Sequence, residues 1–207
     1  MHTIFPLLVV LAVQFPNYFE ERQTLAHSLP SVSPHLRIDP DDAFIHAGFA
    51  MQFETPEISR YMILSMSWHE SNLIPEATTY LVKTEDPDTG EVTWPRVGGV
   101  IQWKSPPAGV KGPYCCGVLQ VRAKTWEGCL KLRDLETGYR EGVKVLTQWL
   151  EKCQSYGIKN PREKMRCALL RYGGVSKEKW KTSTFPGEIL GRTERLKRAT
   201  ERAAGNI

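Results

Sequence analysis

The chain has 207 residues, 41% of them apolar and 24% charged, with a net charge of +4. It is long enough to bury the core of one ordinary globular domain, its composition is average for soluble proteins, and it contains no internal repeats or low-complexity tracts. The charge is mild but unevenly placed. Arg22 and Arg37 are the only Lys or Arg residues up to Glu57, against Glu20, Glu21, Asp39, Asp41, Asp42, Glu54 and Glu57. Beyond Ser176 the balance reverses, with Lys177, Lys179, Lys181, Arg192, Arg195, Lys197, Arg198 and Arg202. A solvated helix face is the plain reading of that basic end, and attraction to a polyanion is the sharper one.

The chain opens on a largely apolar run from Ile4 to Phe15, too short to cross a bilayer as a helix. It has the apolar core of a secretion signal, yet no Lys or Arg precedes it and no small-x-small cleavage site follows. The alternative is an apolar segment packed on the domain or on a partner. Residues 1–40 are therefore set apart, because a Pro/Ser-rich connector, "SLPSVSPHLRIDP", closes them. Residues 41–207 form the domain proper.

Asp39-Pro40 reads as the N-cap and first residue of a helix, with Phe44, Ala47 and Met51 on one face. A second helix start falls at Thr55-Pro56-Glu57, with Ile58, Tyr61, Met62 and Ser65 inward, and it delivers Glu70 at its end. Residues 79–113 change pattern. Their β-branched and aromatic runs around D-P-D-T-G predict a hairpin or small sheet. Helices are then expected over Arg122–Leu132, Thr137–Cys153, from Asn160-Pro161 onward, and over Gly187–Arg202. The sum is an α+β fold, mostly helical, with a small β-hairpin insertion and lysozyme-like proportions.

Five cysteines, Cys115, Cys116, Cys129, Cys153 and Cys167, lie in the second half. None has the C-x-x-C spacing of a zinc site. Cys129, Cys153 and Cys167 fall at helical spacing from apolar neighbours and read first as small buried hydrophobes, with disulfide pairing left open.

Several chemistries fail on spacing. His69-Glu70 begins an H-E-x-x-H string, but Leu73 stands where the second zinc ligand belongs. No G-x-S-x-G occurs, and no phosphate-cradling loop is complete. Carboxylate chemistry is left. Glu70 follows Met66 and Trp68 and precedes Leu73, Ile74 and Pro75. A glutamate held against apolar side chains can carry a proton at neutral pH and deliver it to a leaving oxygen, as glycosidic cleavage requires.

"ESNLIPEATT" resembles the E-S-x-F-x-P-x-A-x-S signature of the lytic transglycosylases of the soluble-transglycosylase, goose-type lysozyme-like group. Glu70, Ser71, Pro75 and Ala77 match, Leu73 replaces Phe, and Thr79 replaces Ser. Downstream, Gly117-Val118-Leu119-Gln120 resembles G-L-M-Q, and "CALLRYGG" resembles A-L-x-A-Y-N-x-G through Ala168, Leu169 and Tyr172. The family's Asn is Gly173 here, and its closing Gly is Val175. The three blocks cover roughly residues 58–198 in order.

The resemblance implies a lysozyme-like fold with Glu70 as the single catalytic acid and base. Ser71 would assist beside it, Gln120 and the backbone from Gly117 to Leu119 would line the sugar cleft, and Tyr172 would bond near the reacting sugar. It implies peptidoglycan glycan strands as substrate and virion or envelope proteins as further partners, in a virion or in the cell envelope or periplasm. No cofactor, metal, nucleic acid or membrane span belongs to it. Asp86, Asp88 or Glu91, on the expected hairpin, would make the enzyme a hydrolytic muramidase by placing a water; turn formation is their plainer role. A catalytically weak wall-binding or virion structural module is the reading from another class. Trp94 and Trp103, in the insertion, are core residues or sugar-stacking platforms.

Overall fold

Helix starts in this chain are set by side chains that accept a backbone proton. Asp39, Ser59, Thr125, Asp134 and Asn160 each stand in extended backbone and cap an amide two or three residues on. Pro40 and Pro161 follow two of these caps in the first helical turn, where no amide proton is needed. The computed structural model describes residues 16–30, 38–81, 84–85, 89–90, 92–93, 96–101, 104–106, 108–175 and 177–205. The apolar run Ile4–Phe15, Asp86, Asp88, Glu91, Trp94 and Trp103 lie outside the described residues.

In chain order the helices are α1 (Pro16–Ser28), α2 (Pro40–Gln52), α3 (Arg60–Ser71), α4 (Trp126–Leu132), α5 (Leu135–Ser155), α6 (Pro161–Tyr172) and α7 (Phe185–Ala203). The strands are β1 (Thr78–Leu81), β2 (Thr84–Glu85), β3 (Val92–Thr93), β4 (Arg96–Ile101), β5 (Tyr114–Cys116) and β6 (Val121–Ala123). The fold is therefore α+β and mostly helical, as expected. None of the described helices is long and apolar enough to cross a membrane.

Three expectations shift. The helix expected from Thr55 starts at Arg60, because Thr55 and Ile58 close a turn with reciprocal backbone bonds of 3.0 and 3.2 Å. The helix expected from Arg122 starts at Trp126, since Val121–Ala123 pairs with β5 instead. Residues before the boundary at residue 40 contribute to the core as well: α1 buries Leu25 and Ala26, and Leu29, just past its end, is buried too. Arg22 of α1 lies over the Phe44 ring at 3.9 Å and donates to Phe44 O at 2.7 Å, while Arg60 ties Glu21 of α1 to Glu54. With α1 against it, α2 turns a different face inward, and Ala43, His46, Ala47 and Ala50 are buried while Phe44 and Met51 are only partly so.

The sheet is larger than a hairpin. Its order is β4-β1-β5-β6, all antiparallel, and β2 and β3 form a separate two-stranded ribbon. β1 follows α3 after six residues, so the sheet is tied directly to the helix that carries Glu70. Helix α5 packs on α6, α3 on α7 and α1 on α2 around one core that includes Leu25, Ile63, Met66, Leu119, Tyr139, Leu146, Leu169 and Ile189.

Four cysteines pair. Cys116–Cys129 joins β5 to α4, and Cys153–Cys167 joins α5 to α6; Cys115 is buried as a thiol. Cys129, Cys153 and Cys167 are indeed buried, but as half-cystines, which corrects their reading as plain small hydrophobes. The helical spacing that suggested core positions also aims Cys153 and Cys167 at one another across the α5–α6 contact. Their sequence separation is 14, and closing a loop of that size removes freedom from the unfolded chain. A Cys153→Ala, Cys167→Ala double variant should lose about 3 kcal/mol of stability in urea unfolding; an unchanged midpoint would contradict this account of the bridge.

Candidate functional site

The end of α3 is built to turn the chain sharply just after Glu70. Asn72 and Leu73 both take left-handed backbone, φ 53° and 64°, and the amide of Asn72 returns to Trp68 O at 2.9 Å while that of Leu73 returns to Ser67 O at 3.3 Å. Such a reversal satisfies the last carbonyls of a helix. Glu70 is 4% exposed in the last turn of α3, and its chain neighbours Met66, Trp68 and Leu73 are buried too.

The G-V-L-Q block is the turn between β5 and β6, residues 117–120. Gly117 has φ 77°, and a Cβ there would stand 2.0 Å from Leu132 O, so no other residue fits. Three successive carbonyls of this turn each accept a hydrogen bond from a side chain. Gly117 O takes Gln120 Nε2 at 3.0 Å, Val118 O takes the Ser71 hydroxyl at 2.8 Å, and Leu119 O takes the Tyr172 hydroxyl at 2.6 Å. Three stretches of chain, near residues 71, 120 and 172, thus converge on three consecutive peptide groups. Gln120 also donates to Ala77 O at 2.9 Å and accepts from Thr79 Oγ1 at 3.1 Å, which locks the turn to β1.

Ser71 is fully buried and shares its single proton between Val118 O and Ser67 O at 2.9 Å. Gln120 is 3% exposed, with both ends of its amide engaged inside the protein. Leu119 is buried over Gly142 of α5. Ser71, Leu119 and Gln120, expected at the sugar cleft, are buried here, and the side-chain bonds of Ser71 and Gln120 run to backbone carbonyls and to Thr79. Tyr172 is half-buried at the edge of this clamp. The departure at Gly173 has a steric cause. A Cβ at that position would meet the Phe185 ring at 2.8 Å, so the asparagine of the family pattern has no room.

A second network braces the same corner from behind, and nothing in the sequence motifs indicates it. His46 of α2 is 3% exposed; its Nδ1 lies 2.7 Å from the Tyr139 hydroxyl of α5, and the Leu73 backbone acts on the ring electrostatically. Tyr139 meets the Ser67 hydroxyl, one turn before Glu70. On the outer side α7 closes over α3: Arg192 lies over the Trp68 ring at 4.8 Å, and Phe185 and Glu188 stand against His69. Among the described residues no group of three His, Cys, Asp or Glu side chains is placed to hold a metal ion.

Comparison with family models, with characterised proteins and with solved structures gives no match.

Burial pushes the His46 pKa down to about 4, against a smaller opposing effect of the Leu73 backbone. The unfolded chain binds this proton near the ordinary value of about 6.5, so the folded state loses stability as pH falls from there toward 4. Above pH 6.5 the contribution is fully present. At pH 5 the loss should reach about 2 kcal/mol. A His46→Gln variant should show a shallower decline between pH 7 and 5 than the parent in denaturant titrations, and parallel curves would refute a neutral buried imidazole.

Proposed function

We propose that the protein is a lytic transglycosylase of lysozyme-like fold that cleaves the glycan strands of peptidoglycan, with Glu70 as acid and base. The observation that carries this reading is the convergence of the three resembling sequence blocks on one turn beside a buried carboxylate. The Ser71, Gln120 and Tyr172 bonds to carbonyls 118, 117 and 119 make that convergence a matter of geometry as well as of sequence order.

In the proposed reaction Glu70 protonates the glycosidic oxygen between N-acetylmuramic acid and N-acetylglucosamine. The bond to C1 of the muramyl residue breaks and the glucosaminyl alcohol leaves. Glu70, now ionised, takes the proton of the muramyl 6-hydroxyl, whose oxygen closes on C1 to give a 1,6-anhydro end. The proton balance closes on one residue, so the mechanism requires no second carboxylate and no water. The burial of Glu70, 4% exposed, limits the access of bulk water to the reacting carbon.

Two disulfides favour a chain that folds in an oxidising compartment, consistent with the cell envelope or a virion as its place of action. Glycan strands are the partner this reading requires.

Glu70→Gln keeps the side chain's volume and removes its proton exchange. Release of soluble fragments from purified sacculi should fall by about 10³-fold, while melting temperature and sacculus binding stay near those of the parent. Undiminished release by that variant would refute the assignment.

A further inference from the structure

Apart from the clamp, α5 and α6 carry a second cluster. Trp149, Cys153 and Tyr156 follow one another at helical spacing along α5 and just past its end, and Cys167 and Arg171 do so on α6. The Cys153–Cys167 bridge fastens these two faces together. The Arg171 guanidinium carbon lies 4.8 Å from the centroid of the Trp180 ring, 5.8 Å from that of Trp149 and 5.9 Å from that of Tyr156.

Such rings hold a cation in place without neutralising it. Arg171 has no carboxylate partner among the described residues, and its buried Nε makes no hydrogen bond. A half-buried arginine with one guanidinium nitrogen buried and unpartnered carries recognition capacity that the fold does not use. The rings around it are equally underused. Tyr156 is 49% exposed, unusual for an aromatic residue among the described residues, and Trp180 is half-buried. Trp180 is fixed in place, its Nε1 donating to Val175 O at 3.0 Å and its own carbonyl accepting from Arg166 at 3.2 Å. Lys177, Lys179 and Lys181, all exposed, flank it.

Rigid aromatic faces offer apolar surface to the C–H faces of pyranose rings, and a guanidinium fork matches a carboxylate. We propose that Tyr156, Trp180 and Arg171 form a second binding site, distinct from Glu70, for a carboxylate-bearing glycan strand. The two rings stack on sugar faces, and Arg171 pairs with a carboxylate of the strand or its stem peptide. This inference rests on the reading of the substrate as peptidoglycan. Tyr172, next in the chain, donates to Leu119 O of the clamp, so the last turn of α6 serves both places.

Sacculi stripped of lipid and of phosphate-rich polymers are the probe, and the full chain carrying Glu70→Gln is the binder, so that the probe is not consumed. Tyr156→Ala removes an exposed ring and should leave the melting temperature unchanged while weakening binding about tenfold, equivalent to about 1.4 kcal/mol. Arg171→Gln should weaken binding to a similar extent and flatten its dependence on salt. If Arg171→Gln fails to fold, Tyr156→Ala alone decides. Both variants binding as tightly as the parent would overturn the site. The two readings fail separately. Fragment release by the Glu70-intact chain together with unaffected binding in these variants refutes the second site and leaves the enzyme. Tyr156-dependent binding without any release refutes the enzyme and leaves the site.

Discussion

Three consecutive peptide carbonyls, those of Gly117, Val118 and Leu119, cannot be left bare inside a protein. Each is met by a side chain, from Gln120, Ser71 and Tyr172 respectively, and Gly117 O also takes the Gln120 amide. A net bond of this kind is worth about 1 kcal/mol, whereas a buried carbonyl deprived of its partner costs about 1–3 kcal/mol. The cost of failure, more than the gain, makes the arrangement specific: α3, the β5–β6 turn and α6 must all be in register, or several polar groups are stranded at once. Glu70 immediately precedes Ser71, so the bond made by its neighbour also anchors the stretch of backbone that carries it.

The rest of the molecule can be understood as support for that corner. Leu73, in left-handed backbone, is reached by His46 from α2, and His46 is reached by Tyr139 from α5. Helix α7 presses on Trp68 and His69 from outside, and its Phe185 takes the space that a side chain at residue 173 would need. The bridges Cys116–Cys129 and Cys153–Cys167 hold the elements that flank the clamp, one beneath the turn and one between the helices that lead to Tyr172. A helix end that carries a buried glutamate is thereby fixed from several sides by packing and hydrogen bonds, the kind of support a preorganised site needs.

Local signals made part of this legible in the sequence. The caps at Asp39 and Asn160, each followed by proline, announce two helix starts to the residue, and the donors of the carbonyl clamp all belong to the quoted motifs. What those donors bind was not legible: a motif names Ser71 and Gln120 without revealing that they face inward to backbone. Helix α1 has no clean apolar stripe, and it is held partly by Arg22, whose guanidinium lies over Phe44. Val121–Ala123 is too short for periodicity to separate strand from helix. The His46–Tyr139 bond spans 93 residues, a distance over which no local pattern carries information. Cysteine pairing is likewise a property of the packed helices, since sequence alone permits many connectivities.

The central claim is that one carboxyl group, buried at the end of α3, both gives and retrieves the proton of a glycosidic cleavage. Mass spectrometry of the fragments that the intact protein releases from purified peptidoglycan tests this most directly. The account predicts fragments one water lighter than hydrolysis products, with 1,6-anhydromuramyl ends. Reducing muramyl ends would contradict it, because a water would then have reached C1 with the help of a second group.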